Sequence, residues 1–256
     1  MVAVPKPGDI PAVGRWTWWR HLLYWMGGTL GRLICKMGGL TLTGMENIPE
    51  EGGFVLASNH MSYLDPPAIG GSIQHRRRLC YMAHAGLFEI PVFGRLIGAV
   101  GAFPVKRGTA DRKAIRTAVA LLRGGQPVLV FPEGTRSPVD DAHLPSELGA
   151  AYLAALSEAP IIPVGIRGTS NVLPRGAKFF RARPVEIHFG PPVDLPMLEQ
   201  GKRDKEALEG AAYAIMDAIT DLTGLPHPGV MGTETAVWPE GTGDDWKPKN
   251  LNEEDA

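Results

Sequence analysis

Short runs of apolar residues, each closed by turn residues, recur along most of this chain. Runs of this length bounded by Gly, Pro, Asn or Asp are typical of buried strands. They predict seven strands, over 40–43, 54–58, 79–83, 99–105, 127–131, 161–166 and 185–189.

Between these runs, apolar residues recur every three or four positions, which is the period of an amphipathic helix. Asp111 is placed to cap one such helix, which ends at Gly124-Gly125. Two further patterns cover 148–156 and 208–222. Strands that alternate with helices predict an α/β fold with a mixed, largely parallel sheet flanked by helices.

The first 39 residues differ from this pattern because four of the chain's six tryptophans lie within 16–25. The longest uncharged stretch, Leu22 to Gly31, is far shorter than the about 20 residues that a membrane-spanning helix needs. Tryptophan mixed with arginine suits the lipid headgroup layer, so we expect one or two interfacial helices, broken at Gly27-Gly28. The alternative is an aromatic helix packed on the protein's own core.

Composition changes again after residue 225. Residues 226–256 hold two Lys and seven Asp or Glu, which gives this segment a net charge of −5. Because the formal net charge of the whole chain is −1, residues 1–225 carry +4. We therefore divide the chain into an interfacial segment of 1–39, a main domain of 40–225 and an acidic, loosely ordered tail of 226–256. The modest positive charge before the tail suits a membrane surface and is too weak to indicate nucleic acid.

Several function classes lack their motifs here. The sequence holds no P-loop, no dinucleotide-binding glycine pattern, no Gly-x-Ser-x-Gly and no His-Glu-x-x-His. Its two cysteines, Cys35 and Cys80, lie in apolar surroundings without metal-ligand spacing, which favours a reducing compartment. These absences argue against a nucleotide enzyme, a serine esterase and a zinc hydrolase, and we predict no metal site.

Candidate chemistry begins with His60 and Asp65, which follow the apolar run 54–57. The strand exit is where α/β sheets commonly carry chemistry, and a carboxylate near a histidine can orient it as a general base. A regular helix would hold these two side chains about 140° apart, so contact requires a tight bend. The alternative is that both residues only cap a turn or a helix start.

Two patches with cations follow at later strand ends. Lys106 and Arg107 come after the run 99–105, and Pro132-Glu133-Gly134-Thr135-Arg136 comes after 127–131. Arg donates two parallel hydrogen bonds to phosphate and Lys acts as a point charge. Taken singly, the first patch is also compatible with a solvated strand edge and the second with an ordinary turn. A general base beside an anion site predicts group transfer onto a hydroxyl of a phosphorylated substrate.

Together these patches resemble the lysophospholipid and glycerol-phosphate acyltransferase family, typified by 1-acylglycerol-3-phosphate acyltransferases. Asn59, His60 and Asp65 match its Asn-His-x4-Asp block, and Gly101 to Arg107 match its second block. Phe131 to Ser137 read Phe-Pro-Glu-Gly-Thr-Arg-Ser, as in the third, and Ile161 to Val164 match the fourth. The four blocks come in the family's order and the resemblance covers about residues 40 to 195.

The resemblance implies roles for individual residues. His60 would take the proton of a glycerol hydroxyl as it attacks an acyl thioester, and Asp65 would orient the imidazole. Lys106 and Arg107 would hold the substrate phosphate. Four residues of the third block would complete the acceptor site: Glu133, Gly134, Thr135 and Arg136. Pro163 would shape the acyl or acceptor pocket. No cofactor is implied, because acyl-CoA or acyl-carrier protein serves as co-substrate.

The chain also departs from the family. His84 and Gly86 stand where many relatives carry Lys and Glu, and Glu147 stands where a basic residue is common. Any role of the first two positions therefore stays open, and we expect donor or acceptor contacts from the Glu147 region to differ from those of the family. His84 and Glu89 form a second His-x4-carboxylate pair, which we rank below His60 and Asp65 because nothing around it matches a block.

The resemblance implies that the 40–225 domain moves a fatty acyl chain from acyl-CoA or acyl-carrier protein to lysophosphatidic acid, making phosphatidic acid. Glycerol 3-phosphate or a glycolipid is the alternative acceptor. Two different function classes also stay open, a non-catalytic lipid-binding membrane protein and a thioester hydrolase. We expect a monotopic or peripheral protein at the cytoplasmic face of the plasma membrane. Arg76-Arg77-Arg78 is either a solvated loop or a contact with anionic lipid or coenzyme A phosphates.

Overall fold

Seven strands form one sheet within the residues that the computed structural model describes, which are 16–106, 111–138, 142–201 and 203–239. The strands are β1 (Leu40–Thr43), β2 (Val55–Ser58), β3 (Cys80–His84), β4 (Ala102–Val105), β5 (Val128–Val130), β6 (Ile161–Arg167) and β7 (Val185–Phe189). Their order across the sheet is β1-β7-β6-β2-β5-β3-β4, and only β6 and β7 pair antiparallel. The predicted α/β fold with a mixed, largely parallel sheet is confirmed.

Helices connect most of the strands. The α-helices are α1 (Trp18–Lys36), α2 (Asp65–Ile73), α3 (Phe93–Ala99), α4 (Arg112–Arg123), α5 (Gly149–Ser157), α6 (Thr169–Val172) and α7 (Lys205–Thr223), with 3-10 turns at Met45–Asn47, Ala85–Phe88 and Pro196–Gly201. The predicted cap of α4 is present, since the Asp111 carboxylate accepts the N–H groups of Lys113 and Ala114. The sequence did not predict α2 or α3. α2 is buried on nearly all sides and α3 spans seven residues, so neither shows a helical period.

The helices cover both faces of the sheet. Leu56 and Leu129 point to the face covered by α1 and α2, whereas Val55 and Val128 point to the face covered by α4, α5 and α7. Consecutive residues of each strand therefore enter two different cores, as the two-residue period of a strand requires. Burial on both faces explains why these strands are nearly continuous apolar runs in the sequence.

The predicted break at Gly27-Gly28 is wrong, because α1 runs unbroken through both glycines. Gly28 instead lets α1 approach α2. A Cβ on Gly71 of α2 would meet the carbonyl oxygen of Gly28, and a Cβ on Gly31 would lie 2.8 Å from Pro67. The glycines therefore serve close packing between two helices rather than a change of direction.

One side of α1 is an exposed apolar stripe. Its members recur every three or four residues and are Trp18, Leu22, Met26, Leu30, Leu33 and Met37, each more than half exposed. The opposite side carries Tyr24 and Cys35, which are buried. In the part of the chain that is described, no helix is both long and apolar enough to cross a membrane.

The arginines of the 76–78 run bind backbone and a histidine inside the fold. Arg77 donates to the carbonyl oxygens of Pro49, Gly52 and Gly125, in the loops that lead into β2 and β5. Arg78 contacts His21 of α1. Both lie at the amino-terminal edge of the sheet, so they hold loops together there rather than forming a solvated loop.

The ends of the described chain bear on the predicted division into three parts. Residues 1–15 and 240–256 lie outside the described residues. The start of the predicted tail packs on the domain, since Val230 is buried and the N–H of Met231 donates to the carbonyl of Ser146.

A crevice opens between β3 and β5 at the carboxyl edge of the sheet. The ladder between them ends at Tyr81 and Leu129, whereas β3 stays paired with β4 as far as His84 and Val105. The chain leaves β3 toward α3 on one face and leaves β5 toward α5 on the other. Ligands of open α/β sheets bind at such a point, where neighbouring connections turn to opposite sides.

Candidate active site

A cavity of about 1520 Å³ lies at this crevice. Most small-molecule sites measure about 300–1,000 Å³, so the cavity has room for more than one small ligand. Its described wall includes residues from each of the predicted patches, namely His60, Lys106, Gly134, Thr135 and Arg136. Arg107 lies outside the described residues, as do its neighbours up to residue 110.

His60 and Asp65 are in direct contact. His60 Nδ1 lies 2.8 Å from Asp65 Oδ2, and the same carboxylate oxygen accepts the N–H groups of Met61 and Ser62 at 2.7 and 2.8 Å. The bend that this contact requires is thus formed by the carboxylate itself, at the first residue of α2. The two interpretations of the sequence coincide, because Asp65 shapes the turn and also orients the histidine.

The second oxygen of Asp65 is held as firmly. Thr169 Oγ1, at the first residue of α6, donates to Asp65 Oδ1 at 2.5 Å, and both residues are 0% exposed. Nothing in the sequence marks Thr169 as part of this site. It lies 104 residues beyond Asp65, outside the four blocks, and only the position of α6 after β6 brings it here.

The ring of His60 is fixed on its face as well. It stacks on Phe131 with ring centroids 3.9 Å apart and an interplanar angle of 15°. With Nδ1 facing Asp65, Nε2 is the ring nitrogen left for a ligand in the cavity. The geometry therefore supplies a histidine in one orientation, with its basic nitrogen available to a substrate.

Asn59, the first residue of the block, lies inside the sheet. Its side-chain Nδ2 donates to the carbonyl of Ile166 and its Oδ1 accepts the N–H of Ile166, both at 2.8 Å. The amide continues the pairing of β2 with β6 for one residue after β2 has ended. This anchor sets the point at which the chain turns away toward His60.

Glu133 is placed behind the cavity wall rather than in it. It is 1% exposed, and its Oε1 accepts the backbone N–H of His60 at 3.0 Å while Oε2 accepts that of Leu144 at 2.9 Å. Buried His143 lies 3.6 Å from Oε1 and its Nε2 meets Thr223 Oγ1 at 2.9 Å. We expected Glu133 to bind the acceptor, but both of its carboxylate oxygens accept backbone N–H groups of the protein.

Five other residues of the third block line the cavity, namely Phe131, Pro132, Gly134, Thr135 and Arg136. The Arg136 guanidinium lies over the ring of Tyr63, 3.6 Å from its centroid. Gly134 has a φ of 67°, and a Cβ there would approach Glu147 Oε1 to 2.5 Å. The block is tied to the first motif, because the N–H of Ser137 donates to the carbonyl of His60 at 2.9 Å.

The positions that depart from the family also lie on the wall. His84, Gly86 and Glu147 all line the cavity. His84 Nδ1 accepts the N–H of Gly86 and so caps the 3-10 turn, while Glu89 is exposed. Pro163 of the fourth block is buried in the middle of β6, where its partner is Ala57 of β2, and is not part of the cavity wall.

Comparison with known proteins gives consistent matches. A family model described as Acyltransferase matches residues 39–167. The 1-acyl-sn-glycerol-3-phosphate acyltransferase of Bacillus subtilis is 31% identical over 161 residues, covering 63% of this chain and 77% of the relative. A chloroplastic 1-acyl-sn-glycerol-3-phosphate acyltransferase of Brassica napus is 32% identical over 141 residues, which cover 54% of this chain but 40% of that longer protein.

A solved structure shows a similar fold. The crystal structure of the 1-acyl-sn-glycerophosphate (LPA) acyltransferase from Thermotoga maritima superposes with a TM-score of 0.62 at 26% identity. The match covers 79% of this chain and 78% of that one.

Proposed function

The chain belongs to the acyltransferase family, and we propose that it transfers a fatty acyl chain from a thioester to the free hydroxyl of lysophosphatidic acid, making phosphatidic acid. The observation that carries the proposal is the His60–Asp65 contact of 2.8 Å on the wall of a large cavity that also presents Lys106 and Arg136. The names of the relatives support the same acceptor.

The mechanism follows from the orientation of His60. Its Nε2 removes the proton of the acceptor hydroxyl as that oxygen attacks the thioester carbonyl. A carbon–oxygen bond forms, the carbon–sulfur bond breaks, and the thiolate leaves with the proton that His60 returns. Asp65 stabilises the imidazolium between these steps and keeps the productive tautomer. The attacking oxygen comes from the substrate, so no protein nucleophile is needed.

We assign the acceptor phosphate to the cations at the strand ends. Lys106 and Arg136 are on the wall, and Arg107 follows Lys106 directly. Gly134 and Thr135 lie beside them, where backbone and hydroxyl groups can donate to the acceptor. Arg136→Ala is expected to raise the KM for the phosphorylated acceptor more than that for the donor. An unchanged acceptor KM would remove Arg136 from this site.

The donor is proposed to be acyl-CoA or acyl-carrier protein at a membrane surface. The apolar stripe of α1 and exposed Phe179 and Phe180 suit contact with acyl chains. The loop that carries these phenylalanines also carries Lys178, Arg181 and Arg183, which suit anionic headgroups. Unpaired cysteines favour a reducing compartment, so we place the protein on the cytoplasmic face of the plasma membrane.

The decisive experiment is an acyl-transfer assay with the purified protein. A long-chain acyl-CoA is offered with lysophosphatidic acid and, in parallel, with glycerol 3-phosphate, and His60→Ala is the control. We expect transfer to lysophosphatidic acid, with turnover reduced by about 10² or more in the mutant, the usual scale for a general base. Equal activity in mutant and wild type would refute the assignment, and transfer to glycerol 3-phosphate alone would change the acceptor.

A further inference from the structure

The cavity reaches both faces of the sheet. Tyr81 and Met82 are consecutive residues of β3, and both line it. Consecutive side chains of a strand point to opposite faces, and indeed Tyr81 packs against the core under α1 and α2 while Met82 packs against the core under α4, α5 and α7. The crevice beyond the last pair of β3 and β5 connects the two sides.

The apolar residues that line the cavity therefore fall into two sets, one on each face of the sheet, which we call its first and second arms. The first arm lies on the α1 side and is lined by Leu23, Tyr24, Gly28, Tyr81, Phe93 and Ile97. The second arm lies between α4 and α5 and is lined by Met82, Ile115, Ala150, Leu153, Leu156 and Leu208. Each arm is lined mainly by apolar side chains.

We propose that the second arm binds the hydrocarbon tail of the acceptor lipid, while the first arm takes the chain that is transferred. This inference rests on the proposed function, because an enzyme that acylates a lysolipid must bind two hydrocarbon chains near its general base: the acyl chain of the donor and the tail of the acceptor. Glycerol 3-phosphate has no tail, so the second arm would also select between the two acceptors.

Charge at the second arm supports this assignment. Arg112 and Arg116 lie one helical turn apart on α4 and line the cavity together with Lys106. Ile115, on the same stretch of helix, faces the apolar arm. Phosphate-binding cations beside a hydrocarbon-lined space fit a ligand with an anionic head and an apolar tail.

The pantetheine of the donor fits the second arm less well. Pantetheine carries two amide groups, and burying an amide without a hydrogen-bond partner is costly. The six residues named for the second arm have apolar side chains, and the polar side chains that α4 and α5 add to the cavity wall are Arg112, Arg116 and Tyr152. Asp111 also lines the cavity, but its carboxylate already accepts the N–H groups of Lys106, Lys113 and Ala114. A saturated or unsaturated hydrocarbon tail needs no such partners.

The test uses one substitution in each arm. Ile115 and Ile97 are both half-buried helical residues on the wall, one in the second arm and the other in the first. Ile115→Trp and Ile97→Trp therefore fill the two arms with the same side chain. KM is measured for oleoyl and hexanoyl lysophosphatidic acid, and the donor preference is measured with a series of acyl-CoA chain lengths.

For Ile115→Trp, we expect the KM of the oleoyl acceptor to rise by about tenfold or more, the effect of losing the burial of two or more methylenes. The KM of the hexanoyl acceptor and the donor preference stay as in wild type. For Ile97→Trp, the donor preference shifts to shorter chains and the acceptor KM values stay unchanged. Ile115→Phe is the milder variant if the tryptophan prevents folding, and it should shift the oleoyl KM in the same direction.

The inference is overturned if Ile115→Trp or Ile115→Phe changes the donor preference, or if it affects both acceptors equally. Failure of the proposed function looks different, since wild type would then transfer no chain to any lysophosphatidic acid. If wild type is active but has equal KM values for the oleoyl and hexanoyl acceptors, the assignment of the acceptor tail to the second arm is wrong while the proposed function stands.

Discussion

The backbone N–H of His60 donates to Oε1 of Glu133, 73 residues away in the sequence, at 3.0 Å. The other oxygen of this carboxylate holds the N–H of Leu144, so one buried side chain joins the turn after β2 to the segment before α5. In the sequence, His60 and Glu133 look like separate parts of a substrate site. In the structure, Glu133 supports the backbone of His60 from behind, and only His60 lines the cavity.

Replacing Glu133 by Gln tests this support. The side chain keeps its size, but its NH2 group cannot accept, so one of the two backbone N–H groups loses its partner at a cost of about 1–3 kcal/mol. We expect lower kcat and lower stability with little change in the KM of the acceptor, measured by steady-state kinetics and thermal unfolding. A selective rise in the acceptor KM, with kcat maintained, would return Glu133 to the substrate site.

Thr169 is expected to act through Asp65. Thr169→Val keeps the shape but leaves Asp65 Oδ1 without its donor, and a hydrogen bond to a charged group contributes about 1.5–3 kcal/mol. We expect kcat to fall while both KM values hold, and Thr169→Ser to recover most of the loss because it restores the hydroxyl. If Thr169→Val turns over like wild type while Thr169→Ser is slow, the methyl contact rather than the hydrogen bond is what counts.

The close packing of α1 on α2 can be tested by replacing two glycines with alanine, one at the contact between the helices and one away from it. Gly71→Ala would place a Cβ against the carbonyl of Gly28, and overpacking of this kind costs about 1–3 kcal/mol. A Cβ on Gly27 would meet no heavy atom within 4 Å, so Gly27→Ala should stabilise by about 0.5–1 kcal/mol through helix propensity. Denaturant unfolding measures both, and equal stabilities would contradict the close approach.

Membrane binding should depend on the exposed stripe of α1. Changing Leu22, Met26 and Leu30 to Ser removes apolar surface that is free to enter a bilayer, so vesicle affinity should fall by at least about tenfold. Co-sedimentation with anionic vesicles measures it. Tyr213→Ser, at an exposed aromatic residue on α7, is the control. If the triple variant sediments like wild type, the stripe is not the contact.

The two cysteines should be unreactive in the folded protein. Burial raises the pKa of Cys35 to about 11, with the charge of Asp65 adding to the effect, and burial raises the pKa of Cys80 to about 12. Thiolate is the reactive form, so iodoacetamide at neutral pH should label neither residue until denaturant is added. Mass spectrometry of native and unfolded samples distinguishes the cases, and rapid native labelling would contradict the burial.

Much of this fold was predictable because each buried strand needs apolar residues on both faces, as the runs around Val55 and Val128 show. The contact of His60 with Asp65 was also within reach, since it is local. The continuity of α1 was not, because a glycine pair has the same appearance whether it bends a helix or lets another helix approach. Nor was Thr169, which reaches Asp65 only after β6 has been placed beside β2.

The backbone contacts of Glu133 were not predictable for a related reason. A Glu within Pro-Glu-Gly-Thr is ordinary turn chemistry in a sequence, and whether its carboxylate faces a ligand or the protein depends on the segment around Leu144 that packs over it. Contacts made by distant segments leave no local pattern, so residues that support the site are harder to find than residues within its motifs.

The amide of Asn59 takes the place of a peptide group in the pairing with Ile166. The N–H of Ile166 can therefore exchange its hydrogen with solvent only when its hydrogen bond to the Asn59 side chain breaks. That bond breaks when the turn that carries His60 separates from the sheet. Hydrogen–deuterium exchange at this one amide thus reports how often the turn that carries His60 opens, without any substrate or assay of turnover.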